Sequence, residues 1–225
     1  MNIKKDQPEF ILQHGWGLSS SCWRRWKERL EKDYKVTLPD RGYFGSQKRI
    51  KNFKTKSKKI LVSHSFGLFL FEKSVLEQAD FIVIISGFTK FHPEEAREAR
   101  RSRLLMKFMQ KKLYLEPEKL LTDFYNGHDL RGDFDLNPDV SLLFKDLERI
   151  NSEAPDLESI RKIKNILIVH GKKDMVVPFS RGVYLKNYFS GAKMIEFENG
   201  DHALPFIYQD KIIEQIIDFL GIKEK

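Results

Sequence analysis

Four short runs of almost unbroken apolar residues punctuate the chain, and each closes on small residues. Phe10-Ile11-Leu12 leads into His14-Gly15-Trp16-Gly17, and Lys59-Ile60-Leu61-Val62 into Ser63-His64-Ser65-Phe66-Gly67. Phe81-Ile82-Val83-Ile84-Ile85 ends at Ser86-Gly87, and Asn165-Ile166-Leu167-Ile168-Val169 at His170-Gly171. Runs that are apolar at every position mark strands buried on both faces, the habit of parallel sheets. Residues 34–38 and 193–197 read as two weaker strands. Helical patterns lie between: 20–32, with Trp23, Trp26 and Leu30 at helical spacing; 66–78; 179–189; and 207–220, with Ile212, Ile213, Ile216, Ile217 and Leu220. Strand–helix alternation predicts an α/β fold, a mostly parallel sheet of about six strands with helices on both faces and right-handed crossovers.

Residues 89–164 break this rhythm. They hold no convincing strand and read as helices over about 93–115, 117–125, 138–150 and 156–162. A helical block between two core strands is expected to form a cap over the carboxyl ends of the strands, where open α/β sheets bind ligands. The organisation expected is a core of 1–88 and 165–225 with a cap at 89–164.

Composition narrows the class. The chain has 225 residues, 41% hydrophobic and 32% charged in mixed sign. That suits one globular domain rather than a disordered chain. Cys22 is the only cysteine, which excludes an intrachain disulfide and suits a reducing compartment. The first ten residues are polar and charged, unlike a signal peptide, and the most apolar stretches, 60–71 and 81–88, are too short to span a bilayer. A soluble, cytoplasmic protein is expected. The formal net charge of +8 favours acidic partners, although a lysine-rich surface accounts for it equally well, so the distribution of charge has to decide.

Chemistry enters at Ser65. It lies between a strand and a helix, two residues before Gly67, as in the nucleophile elbow G-x-S-x-G. That turn is tight, so its flanking positions must be small; Ser63 stands where the first glycine is usual. Asp174 follows the fourth apolar run in His170-Gly171-Lys172-Lys173-Asp174, and His202 follows the last strand in Asn199-Gly200-Asp201-His202. Nucleophile, acid and base thus occur in the order Ser, Asp, His, each just after a strand. Asp201 rivals Asp174 for the acid but, next to His202, is expected to shape the turn. Acyl transfer also needs backbone N–H donors for the oxyanion. Phe66, after the nucleophile, and Trp16, in the glycine-bearing loop after the first strand, are the candidates. His92 and His128 stand apart from other ligand types and read as surface or cap residues, so neither a metal nor an organic cofactor is expected.

These residues resemble those of an α/β-hydrolase along the whole chain. Within that superfamily, His14-Gly15-Trp16-Gly17-Leu18 with Trp23 beyond it, the elbow, Asp174, and His202-Ala203-Leu204-Pro205-Phe206 are similar to the pimeloyl-[acyl-carrier-protein] methyl ester esterases of biotin synthesis. The resemblance covers roughly 9–88 and 160–222. The chain looks like a reduced version: it starts near the oxyanion strand, and 45–58 is short and basic where a longer helix is usual. The resemblance implies a cytoplasmic serine esterase that frees the pimeloyl carboxylate with Ser65, Asp174 and His202. A general carboxylesterase or acyl thioesterase, and a catalytically silent binding protein on the same scaffold, remain alternatives.

The first cap helix concentrates the positive charge. Between positions 97 and 112 it carries Arg97, Arg100, Arg101, Arg103, Lys107, Lys111 and Lys112 against Glu98 alone. Arg100, Arg103, Lys107 and Lys111 form one stripe; Leu104, Leu105, Phe108 and Met109 form another face, expected to pack on the core or line the pocket. The stripe is either a solvated surface or, with Arg97, a docking surface for an acidic acyl carrier protein. Nucleic acid is disfavoured because aromatics do not interleave with the basic residues. Stable membrane association is not expected, and the protein is expected to be a monomer.

Overall fold

In a computed structural model, which describes residues 6–127 and 137–222, six strands form one parallel sheet. His128 lies outside the described residues. The strands are β1 (Glu9–Gln13), β2 (Lys35–Thr37), β3 (Lys59–His64), β4 (Phe81–Ile85), β5 (Asn165–Gly171) and β6 (Lys193–Phe197), in the order β2-β1-β3-β4-β5-β6. The four apolar runs are the four central strands, and the two weaker patterns are the edges. In register, Leu12 stands beside Val62, Val62 beside Val83, and Ile84 beside Ile168.

Side chains alternate across the sheet, so each strand feeds two cores. Phe10, Leu12, Ile60, Val62, Val83, Ile85, Leu167 and Val169 pack on one face with Trp23, Trp26 and the isoleucines near the C-terminus. Ile11, Leu61, Ile82, Ile84, Ile166 and Ile168 pack on the other, in a cluster that runs on into the helical insertion. The chain leaves β1 toward one edge and returns to β3 on the other side of β1. This reversal leaves a crevice at the carboxyl ends of β1 and β3, the usual ligand position in such sheets.

Several helices differ from their sequence patterns. The first is a 3₁₀ turn (Ser20–Trp23) followed by α1 (Arg24–Leu30). The stretch 66–78, expected as one helix, is a 3₁₀ helix over Ser65–Leu70, an extended break at Phe71 and Glu72, and the short α2 (Lys73–Leu76). The reason lies in Phe66-Gly67-Leu68-Phe69, which has no polar face. A 3₁₀ helix eclipses residues three apart, and Phe66 and Phe69 stack with ring centroids 5.1 Å apart, both buried. The insertion contributes α3 (Ala96–Leu115), α4 (Pro117–Gly127), α5 (Val140–Ser152) and α6 (Leu157–Arg161). α7 (Phe179–Tyr188), α8 (Leu204–Ile207) and α9 (Gln209–Leu220) complete the core, with a break at Tyr208 inside the expected last helix. No helix among the described residues is long and apolar enough to cross a membrane.

Few residues of α3 are buried against its neighbours. Ala99, Met106 and Leu113, spaced by seven, are buried, whereas Leu104 is 60% exposed. The helix touches its neighbours along a narrow seam and turns much of its apolar side to a cavity or to solvent.

The insertion is fastened to the core by polar bonds. Asp146 of α5 is fully buried and accepts from Arg41 Nε (2.6 Å) and Nη2 (3.0 Å) and from the Tyr43 hydroxyl (2.7 Å). Arg149, one turn on, also reaches Asp146 (3.3 Å) and donates to the Phe69 carbonyl (3.1 Å). Removing one partner of such a buried group strands the others, at about 3–5 kcal/mol. Asp146→Ala is therefore expected to lower unfolding stability by about 3 kcal/mol or more, read from urea denaturation, whereas Glu158→Ala on the exposed side of α6 should change it little.

Candidate active site

The turn at the end of β3 places Ser65 in the left-handed region, at φ +54°. A residue with a side chain reaches that region only at a cost, and such strain gathers at functional sites. The turn is tight because the 3₁₀ helix leaves β3 against the end of β1. A Cβ on Gly67 would stand 2.6 Å from the Gln13 carbonyl oxygen and 2.8 Å from that of His14, so only glycine fits. Gly15 brings the loop after β1 near as well, though less tightly: a Cβ there would lie 3.2 Å from the Ser65 Cβ. Ser86, after β4, is the other non-glycine described residue with positive φ, but it is buried and does not face the cavity.

That cavity, of about 650 Å³, is floored by Gly15, Trp16, His64, Ser65 and His202 and roofed by α3. The structure thus brings Ser65, His202 and Trp16 to one space, with Asp174 buried behind His202. His202 Nδ1 bonds Asp174 Oδ2 at 2.9 Å, which leaves the other ring nitrogen to meet a proton donor. Asp174 Oδ1 accepts from the Val176 (3.0 Å) and Val177 (2.8 Å) amides. Burial works against an ionised Asp174, but the His202 ring, His170 and the amide bonds outweigh it and hold its pKa below the ordinary carboxylate value. Asp201 caps the turn instead, accepting from the Ala203 amide (2.9 Å). Phe66 does not line the cavity with its side chain, since its ring is occupied by Phe69 and by the Arg149 guanidinium 5.3 Å away. Any contribution from it comes from its backbone.

Three histidines that the sequence reading gave no role here support this arrangement. His64 Nε2 bonds the carbonyl of His202 (2.9 Å), and the two rings lie 4.8 Å apart. The Ser65 turn and the His202 loop therefore hold each other. His170 Nε2 donates to the Val177 carbonyl (2.9 Å) and stands 3.6 Å from Asp174. His14 Nε2 accepts from the Arg41 amide (2.9 Å), so its Nδ1 carries the proton and donates to the Gly15 carbonyl (2.9 Å), steadying the loop beside Ser65. His64 and His170 each adjoin a motif residue, but their partners are backbone atoms, which sequence spacing does not reveal.

The insertion is tied to the same loop. Trp16 Nε1 donates to the Leu143 carbonyl (2.9 Å), and the Tyr125 hydroxyl to the Gly17 carbonyl (2.5 Å). His92 proves to be a buried link within the insertion rather than a surface residue, bonded to Ser102 Oγ and Asn151 Oδ1 at 2.8 Å each. Arg97, Arg100, Arg103, Lys107 and Lys111 are exposed on α3, and none has a side-chain ion pair among the described residues. Leu105, Phe108 and Met109 line the cavity. Among the described residues no group of His, Cys, Asp and Glu is placed to hold a metal ion.

No family model matches the chain, and no curated protein matches it. Solved structures do. An esterase from Exiguobacterium antarcticum superposes with a TM-score of 0.76 at 17% identity, covering 97% of this chain and 93% of that one. An enol-lactonase from Burkholderia xenovorans LB400 gives 0.73 at 15% identity, covering 98% and 94%. A bromoperoxidase from Bacillus anthracis gives 0.73 at 18% identity, covering 96% and 92%. The chain has the α/β-hydrolase fold. At these identities the likeness is one of fold, and the chemistry must be argued from the site.

The buried histidines make stability depend on pH. Burial, with repulsion from His202, lowers the His64 pKa from 6.5 to about 3. The folded protein therefore holds His64 neutral while the unfolded chain takes up a proton below 6.5. The stabilisation is complete above that pH and is lost as pH falls from 6.5 toward 3. The melting temperature is expected to drop steadily between pH 6.5 and 4, and to drop less steeply in His64→Gln. Equal slopes in the two proteins would show that His64 is not buried neutral.

Proposed function

We propose that this chain is a serine-dependent carboxylic ester hydrolase. The observation that carries the reading is Ser65, left-handed at the floor of a cavity that also holds His202 bonded to a buried Asp174. In this reading His202 removes the Ser65 proton, and Asp174 fixes the imidazole tautomer and stabilises its charged form. Ser65 Oγ attacks the ester carbonyl, and the backbone N–H groups of Trp16 and Phe66 receive the oxyanion. The tetrahedral intermediate collapses, the alcohol departs with the proton from His202, and water activated by the same histidine then frees the acid. The reaction draws on no metal and no organic cofactor. That structural neighbours include an esterase and an enol-lactonase fits the same chemistry on the same fold.

The finer reading is that the substrate is the methyl ester of pimeloyl-acyl-carrier protein, whose hydrolysis serves biotin synthesis in the cytoplasm. Two features support it. The loop His14-Gly15-Trp16-Gly17 and the segment His202-Ala203-Leu204-Pro205-Phe206 carry the resemblance to that esterase group. Arg97, Arg100, Arg103, Lys107 and Lys111, without ion pairs among the described residues, stand on the helix that roofs the cavity holding Ser65, where they would draw an acidic carrier and its acyl chain to the mouth. The core at 1–88 and 165–225 then supplies the chemistry, and the insertion at 89–164 admits the substrate to a monomer.

Supplying the chain to cells that lack their own pimeloyl-ester esterase is expected to restore growth without biotin. Arg100→Glu with Arg103→Glu is expected to lower turnover of carrier-bound ester at least about tenfold relative to a small soluble ester, since reversed charges both remove attraction and add repulsion. Failure to support growth by protein that hydrolyses small esters would point to a general carboxylesterase or thioesterase.

A further inference from the structure

The lining of the cavity is divided along α3. Toward the C-terminal half of that helix the wall is apolar, with Leu105, Met106, Met109 and Phe124. Toward the N-terminal half it carries Glu98, Arg101 and Ser102, and Pro178 and Ser180 join them from the start of α7. These groups belong to one corner. Ser102 Oγ bonds His92 Nδ1 (2.8 Å), and the His92 carbonyl accepts from Arg181 Nη1 (3.3 Å), the residue after Ser180.

Glu98 lines this corner, but among the described residues no carboxylate pairs with its arginines. No hydrogen bond or ion pair engages the Arg101 guanidinium among the described residues, and Glu98, one turn earlier, is not within 4.0 Å of it. Arg181 is buried, its Nε has no partner, and no carboxylate stands within 4.0 Å of it among the described residues. Arg101 is exposed, so the cost of taking a guanidinium out of water falls on Arg181, whose one ring partner is Tyr184, 5.6 Å away, and an anion nearby would offset that cost. The N-terminus of α7, a ten-residue helix, adds its positive dipole end at Pro178 and Ser180.

We propose that this corner is a subsite for an anionic group at the far end of the substrate from the ester that Ser65 attacks. Arg101 meets the anion directly. Arg181 and the α7 N-terminus add positive potential from behind, and the apolar half of the wall takes the aliphatic chain. Glu98 opposes binding and limits its strength. The chemistry recognised is a carboxylate or a phosphate ester: either the free acid of a dicarboxylic monoester or the phosphate of a carrier's prosthetic arm. This inference rests on the reading of Ser65 as an esterase nucleophile.

The test uses the full chain and matched substrates. The first pair is the monomethyl ester of a linear α,ω-dicarboxylic acid and its neutral dimethyl ester. The second is an acyl methyl ester on 4′-phosphopantetheine and on dephosphorylated pantetheine. A ratio of kcat/KM, anionic over neutral, well above one in either pair is expected and identifies the source of the anion. Arg101→Gln should lower that ratio about tenfold, mainly through KM, as for loss of a charge-assisted bond. Glu98→Gln should raise it, and added salt should lower it. Ratios near one in both pairs, or a ratio untouched by Arg101→Gln, would overturn the subsite while leaving the esterase intact. Hydrolysis of none of the four substrates would overturn the esterase reading and the subsite with it.

Discussion

Everything in the site depends on how closely the chain passes itself at the ends of β1 and β3. The carbonyl oxygens of Gln13 and His14 stand where a Cβ on residue 67 would lie, and the loop at Gly15 closes on Ser65 from the other side. That crossing forces the turn at Ser65 into the left-handed region and aims it at the cavity rather than into the sheet. It sits at the reversal of strand order, where open α/β sheets leave a crevice at the carboxyl ends of their strands. The apolar runs of the strands exist to make this crossing rigid. Leu12, Val62 and Val83, fully buried in register, leave the strand ends no freedom to part.

A second layer of constraint is polar and reaches across long sequence distances. His64 holds the His202 carbonyl, Asp174 holds the His202 ring, and His14 ties the Arg41 amide to the loop after β1. Trp16 and Tyr125 carry the same loop up to α5 and α4, and Asp146 locks α5 to Arg41 and Tyr43. Core and insertion therefore share their bonding partners at the mouth of the cavity. A change at Asp146 disturbs the segment that positions His14 as well as the helix that roofs Ser65.

The sheet was legible in the sequence because a strand buried on both faces must be apolar at every position, and few other structures demand that. The order of Ser65, Asp174 and His202 was legible because each follows a strand, Ser65 and Asp174 after apolar runs and His202 after the weaker edge pattern at 193–197. Other features left no local mark. Asp146 pairs with Arg41 across 105 positions, and the His64 and His170 bonds go to backbone carbonyls. The 3₁₀ helix after Ser65 was missed because an all-apolar run carries no periodicity to tell three residues per turn from 3.6. On α3 the pattern of Leu104, Leu105, Phe108 and Met109 left open whether that face packs on the core or lines the pocket; Leu105, Phe108 and Met109 line it, and Leu104 is exposed. The buried seam of the helix is the narrower Ala99, Met106 and Leu113.

The central claim, that this geometry makes Ser65 a nucleophile, is tested most directly by a fluorophosphonate probe followed by peptide mass spectrometry. The account predicts one adduct per folded chain, on Ser65, with labelling slowed by orders of magnitude in His202→Ala because the serine then lacks its base. Folded protein that stays unlabelled, or an adduct on another residue, would contradict it.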